Sequence, residues 1–310
     1  MPLLLFLSLH CCTEKPSEPD TPAGTEPTTT TQQPISKRHI WVLSDGQMRQ
    51  MELEVYLVGV VLAEMPASFE AEALRAQAVA ARTYTIKHCM DNVRHGKNAI
   101  CTDHTCCQAF ITPELYVQNG GSWSSVNRIE QAVHDTMGLV LMYEGEPILA
   151  TYFSCAGGLT EDAAAVWGQD IPYLQSVSSP GEEAAAHYTD SKTFTAQQLQ
   201  EALCVRLPGS VDTWFGEIVY TQGGGVATIE IGGVAYRGTT IRTLLGLRST
   251  AFSVTVSKDT VTFHTRGYGH RVGMSQYGAN AMAATGKTFQ QILKHYYTGA
   301  AIVHYNAFGQ

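Results

Sequence analysis

The run Glu70-Ala-Glu-Ala-Leu-Arg-Ala-Gln-Ala-Val-Ala-Ala-Arg-Thr-Tyr84 restricts what this chain can fold into more than any other stretch. Alanine is the strongest helix former, and side chains this small let neighbouring backbones approach closely. The run therefore predicts a buried helix from about Phe69 to Met90, with other elements packed around it. Just before it, the segment Met51 to Pro66 carries Leu53, Leu57, Val60 and Val61 at helical spacing. One further step along that stripe reaches Glu64 instead of an apolar residue. Pro66 restricts Met65 and stops the helix, so the carboxyl falls in the last turn on the core side. In partly apolar surroundings a carboxyl loses hydration of its charged form, its pKa rises, and it can serve as a general acid near neutrality. The pattern alone equally allows a helix-end glutamate turned to solvent.

Around these helices, residues 39 to 51 read as a short opening strand and turn. Residues 91 to 126 lack periodicity and carry Cys, His, Gly and Asn; an irregular stretch that long is functional or pinned by a cross-link or a metal. Ile129 to Asp135 reads as a short helix. From Gly138 onward strands take over. Three hairpins are predicted: Leu139–Tyr143 with Pro147–Phe153, Phe215–Tyr220 with Val226–Ile231, and Phe252–Val256 with Val261–His264. Two helices close the chain, the last with Thr288 as N-cap and Gln291 three residues on, a capping box. Helices with antiparallel hairpins make the fold class α+β.

Of the 310 residues 44% are hydrophobic and 15% charged, enough to build one large or two smaller domains. The net charge of −8 and the lack of a basic run argue against nucleic acid as a partner. Residues 1–12 hold an apolar run too short for a bilayer span of ~20 residues. It reads as the core of a secretory signal or the end of a membrane anchor, with Cys11 and Cys12 behind it. Residues 13–38, rich in Thr, Pro and Glu, read as a linker, and residues 39–310 as the folded body. The expectation is an extracytoplasmic protein held near a membrane.

The folded part has six cysteines: Cys89, Cys101, Cys106, Cys107, Cys155 and Cys204. Outside the cell disulfides are the default. Yet His95, Cys101 and Cys107 are evenly spaced as His-x5-Cys-x5-Cys, and imidazole and thiolates are preferred zinc ligands. His104 and Cys106 compete within the same loop. On spacing, zinc and a disulfide both stand. Cys155 and Cys204 read as small buried hydrophobes. Ser154-Cys-Ala-Gly-Gly-Leu-Thr160 is either a tight turn bringing amides to a ligand or an ordinary strand-to-loop turn. Arg266 to Gly278 sets His270, Ser275, Gln276 and two tyrosines among four glycines, a composition expected of a ligand-facing loop.

Four motifs, Val60-x-x-x-Glu64-Met-Pro66, Glu72-Ala-Leu-x-Ala-Gln-Ala-Val-Ala-Ala-Arg-Thr-Tyr84, Ser154-x-x-Gly-Gly-x-Thr160 and Gly269-His-x-Val-Gly-Met-Ser-Gln-x-Gly-Ala279, together resemble the stage II sporulation protein D family. The resemblance runs from about residue 50 to 300. It implies a peptidoglycan lytic transglycosylase used during engulfment in endospore formation, beside an amidase that first strips the stem peptides. The family's catalytic glutamate falls on Glu64. Clostridial members bind zinc through one His and two Cys, which match His95, Cys101 and Cys107. Where such relatives read His-Cys-Gln this chain has Cys106-Cys107-Gln108, so either His104 or Cys106 is expected to join the site. Arg82, Ser154, His270, Ser275 and Gln276 are the candidates for glycan contacts. Arg82 would pair with a lactyl carboxylate or else satisfy buried carbonyls. Because a related group enhances amidases, a non-catalytic glycan-binding enhancer is the alternative. A zinc hydrolase fits less well, since no H-E-x-x-H helix is present.

Overall fold

Ile40 and Val42 are buried while His39 and Trp41 face outward, the alternation of a strand with one covered face. The computed structural model describes residues 38–305 apart from 92, 93 and 97. The expected signal or anchor at 1–12, and the linker at 13–38 save Arg38, lie outside the described residues. The strand His39–Ser44 pairs antiparallel with Gln47–Glu52 and parallel with Ala99–Cys101. Met51 and Glu52 are still paired, opposite Ile40 and His39, so the first helix, α1, begins only at Leu53 and runs to Glu64. Leu53, Leu57, Val60 and Val61 are all buried, as their spacing predicts. Met65 is extended at φ −134°, which ends α1 ahead of Pro66.

The alanine-rich run becomes α2, Ala71–Asp91, the axis of the main core. Between Ala73 and Ile86 only Arg75 and Tyr84 are not fully buried. Its small side chains let α1, the helices Trp123–Asp135, Gln276–Ala284 and Phe289–Tyr296, and the strand Leu139–Tyr143 all pack directly on it. A second core gathers Phe194, Leu199, Ile229, Ile241, Val261 and Phe263. Two antiparallel three-stranded sheets enclose it: Phe215–Tyr220, Val226–Ile231 and Val234–Arg237 form one. Thr189–Thr195, Thr260–Arg266 and Phe252–Ser257 form the other. The helices Ala196–Leu203 and Gly238–Leu245 complete this core. The fold class is α+β.

Several local expectations change. The first hairpin is short: Tyr143 pairs with Glu146 and Met142 with Pro147, and Ile148 still donates to the Leu141 carbonyl at 3.1 Å. The Leu141 N–H goes to Thr83 Oγ1 at 2.9 Å instead of returning to that strand. The chain then turns, and Tyr152–Phe153 pairs in parallel with Met274–Ser275 instead. The short helix expected at Ile129 starts at Trp123, where Ser122 accepts the Ser125 N–H as N-cap. The aperiodic stretch holds the strand Ala99–Cys101 and a one-turn-and-a-half helix, Pro113–Gln118, capped by Thr112. Both are too short to show a period. The capping box at Thr288 and Gln291 forms as expected. Cys204 is not buried: it sits exposed in a left-handed C-cap at φ 55°. Cys155 is buried.

Candidate active site

A cleft of about 750 Å³ opens between the two cores, and α1 delivers Glu64 into it. One Glu64 oxygen accepts the Ala109 N–H at 3.0 Å and the other accepts from Gln276 Nε2 at 3.4 Å. Burial raises the Glu64 pKa, against smaller opposing pulls from Ala109, Gln276 and the His104 charge. Its place at the carbonyl end of α1 further disfavours a negative charge. Ala109 is held in position by its neighbours. Ile111 donates to the Gly59 carbonyl at 3.2 Å, and a Cβ at Gly59 would come within 2.3 Å of the Phe110 ring. Only glycine lets this segment lie against α1. Gln108, buried beside it, accepts from Thr85 and donates to the Tyr152 hydroxyl, each at 2.7 Å.

The opposite wall comes from the glycine-rich run. The Val272 N–H donates to His270 Nδ1, so Nε2 carries the proton and donates to the Tyr152 carbonyl, both at 3.1 Å. Burial, with the nearby Arg242 charge, takes the His270 pKa down to about 4. His270 is therefore a neutral ring with both nitrogens engaged. It lines the cleft between Phe153 and Trp167, each with its ring centre at 5.5 Å. Trp167 is 39% exposed there and presents an apolar face of the kind that sugar rings cover. Ser154 and Gln276 also line the cleft.

Two other candidates lie elsewhere. Ser275 is fully buried, donates to Glu182, and caps the following helix by accepting the Gly278 N–H. Glu182 also accepts from Ser179 and from the Ala156 and Gly157 amides, so Ser275 belongs to the shell of a buried carboxylate and not to the cleft. Arg82 is likewise fully buried. It makes a bidentate pair with Glu54 at 2.9 and 2.6 Å and donates to the Leu139 and Val133 carbonyls. A guanidinium so engaged has nothing left for a glycan. Arg82→Met strands the Glu54 carboxylate, 13% exposed, and is expected to cost about 3–5 kcal/mol of stability. Urea unfolding checks this; cleft binding by the folded variant should stay unchanged.

His95, Cys101, Cys106 and Cys107 converge so that one ligand atom from each lies within 4.8 Å of all the others. The six described cysteines are free thiols, and Cys106 and Cys107 Sγ are 3.9 Å apart, far beyond a disulfide bond. Separations of 3.9 Å between sulfurs and 3.4 Å from Cys106 Sγ to His95 Nε2 are close to the edges of a tetrahedron with ~2.3 Å metal–sulfur arms. The residues fit a four-coordinate metal. Cys106 would supply the fourth ligand atom; His104 is not in that cluster and lines the cleft alongside Cys106 and Cys107. Arg94 donates to Cys106, and chiefly through that bond lowers its thiol pKa to about 7.

Tyr268, one of the two tyrosines of the run read as ligand-facing, lines the cleft, whereas the sequence reading missed Trp167 and Arg242 there and a buried pair beside it. Arg271, at φ 66°, donates to Glu161 and to the Ala156, Leu159 and Gly223 carbonyls. These bonds hold a left-handed backbone that a non-glycine residue rarely adopts. Tyr268 and Arg271 lay inside a motif already singled out. Trp167, Arg242 and Glu161 carried no pattern of their own.

A family model described as stage II sporulation protein matches residues 44–143. The stage II sporulation protein D of Bacillus subtilis (strain 168) is 42% identical over 275 residues, covering 87% of this chain and 79% of that protein. That of Bacillus amyloliquefaciens is 40% identical over 289 residues, covering 92% and 83%. An amidase enhancer of Bacillus subtilis (strain 168) is 32% identical over 308 residues, covering 80% of this chain and 40% of that protein.

Proposed function

The chain belongs to the stage II sporulation protein D family, and from that membership we propose that it is a lytic transglycosylase cleaving peptide-stripped peptidoglycan strands during engulfment. One observation carries the reading. Glu64 is the only carboxyl among the described residues lining the cleft, and burial raises its pKa. Glycosidases that use water or an enzyme nucleophile work with two carboxyl groups. A cleft with one suits a substrate that supplies its own nucleophile. Protonated Glu64 gives its proton to the leaving glycosidic oxygen as the bond to the muramyl anomeric carbon breaks. The muramyl 6-hydroxyl oxygen bonds to that carbon and passes its proton to the Glu64 carboxylate. The product is a 1,6-anhydro end, and Glu64 is again protonated. Gln276 and the Ala109 N–H orient the carboxyl, Trp167 and the His270 ring offer apolar faces to the sugars, and Ser154 adds a polar contact.

Zinc fits the donor set of His95, Cys101, Cys106 and Cys107. Bound there, it would tie the loop ahead of Gln108 and Ala109 into a fixed shape. An extracytoplasmic site held near the engulfing membrane, beside an amidase, follows from the same reading. None of the described helices is long and apolar enough to cross a membrane. The amidase-enhancer relative favours a second reading, a glycan-binding partner that stimulates an amidase without cleaving. Mass spectrometry of peptide-free strands incubated with the protein separates them. Anhydromuramyl ends are expected; binding without cleavage would leave the enhancer reading, and hydrated reducing ends would mean hydrolysis.

A further inference from the structure

The cleft does not end at Glu64. A second depression of about 1000 Å³ adjoins it, with Thr105, Arg242 and Tyr268 lining both. Three cations face this depression, and two of them are occupied. Arg248 pairs with Asp190 at 3.1 Å and lies 4.9 Å from the Tyr268 ring centre. Lys192 donates to the Leu245 carbonyl at 2.7 Å. Arg242 is different. It is half-buried, its Nε is a buried donor without a partner, and its guanidinium has no ion pair among the described residues. The helix Gly238–Leu245 that carries it is anchored by Ile241 and Leu245 in the second core, so the side chain is aimed by a rigid element. Burying a cation without a counter-charge is costly, and here the cost is borne in a cleft of a chain whose net charge is −8. The arrangement is what an anion-recognising subsite requires: a planar donor fork, partly dehydrated, waiting for a carboxylate.

We propose that Arg242 forms a subsite for the free lactyl carboxylate of a muramyl sugar, and thereby sets which way a glycan strand lies across Glu64. The inference rests on the glycan reading of the cleft. Stripping a stem peptide converts an uncharged lactyl amide into a carboxylate, so the subsite also distinguishes stripped strands from unstripped ones.

The test is binding of defined tetrasaccharides of alternating N-acetylglucosamine and N-acetylmuramic acid to the full-length Glu64→Gln protein, measured by calorimetry. Three forms are compared: the free acid, its methyl ester, and the same sugar with an L-alanyl-D-isoglutamine stem on each lactyl group. The free acid is expected to bind about 10- to 100-fold more tightly than the ester, the range for a charge-assisted hydrogen bond. Arg242→Gln should erase that preference while leaving the affinity for the ester within a few-fold, and Arg242→Lys should restore part of it. The wild-type side chain alone already decides the matter. Equal binding of acid and ester, or tight binding of the stem-bearing sugar, overturns the subsite, as does no binding of any form. Failure of the enzyme reading looks different: an acid preference in a protein that yields no anhydro ends keeps the subsite and removes the catalysis.

Discussion

Glu64→Gln is expected to abolish anhydro-end formation, lowering the rate by about 10²- to 10⁴-fold, the usual contribution of a positioned general acid. The substitution keeps the side chain's shape and still accepts the Ala109 N–H, so strand binding should persist. Turnover falling less than about 10-fold would remove Glu64 as the acid. The pH dependence has a definite sign. Burial raises the folded pKa above its unfolded value, so the acid form persists to higher pH than an ordinary glutamate allows. Activity should fall as pH rises through the folded pKa. Stability follows the same linkage: the folded state holds its proton more tightly, so this group's contribution is greatest below the unfolded pKa and is lost as pH rises through the folded one. Glu64→Gln removes that loss. The inactive variant should therefore melt at a higher temperature than wild type near neutral pH, and a lower melting temperature there would contradict the buried, reluctant carboxylate.

Removing the metal should have the second large effect. Cys101 ends a buried strand, but His95, Cys106 and Cys107 come from irregular chain on either side of it, so the shape of that chain depends on what joins the four ligand atoms. Structural zinc sites supply apparent binding energies of about 10–16 kcal/mol in small domains. Purified protein is expected to carry one zinc per chain. A strong chelator should lower the melting temperature by several degrees or more and weaken cleavage, because Gln108 and Ala109 follow the ligand pair directly. Cys106→Ser should lose the metal as readily as Cys107→Ser, whereas His104→Ala should keep it. Full zinc content in Cys106→Ser would return the site to three protein ligands.

The two helices were legible because α1 and α2 are long and strongly patterned, and the position of Glu64 on the buried stripe came with them. What misled was polarity inside motifs. Arg82 and Ser275 look the same in a sequence whether they face a substrate or a buried acid, and their partners lie far away: Glu54 is 28 residues from Arg82, and Glu182 is 93 from Ser275. Glu182 sits in a loop with no period to mark it. The apparent ligand-facing serine is thus half of a buried network assembled from three separate loops. The early end of the first hairpin was not readable, because the Leu141 N–H that would have continued it goes to Thr83 Oγ1, 58 residues away. Cys106 could not be chosen over His104 from spacing, because only the turn at Asp103, which receives both the Cys106 and Cys107 N–H groups, orients the two thiols together.

The parallel pairing of Tyr152–Phe153 with Met274–Ser275 makes the second core an insertion. Closing an unstructured loop of that span carries an entropy cost that grows with its length. Here the inserted segment short-circuits it, because its own ends, Thr189 and Arg266, are paired with each other. To the cleft the long excursion therefore behaves as a brief tether. Trimming or loosening the Phe263 core would lengthen that tether, release the strand that positions Gln276, and disperse Glu64's surroundings without touching a residue in them.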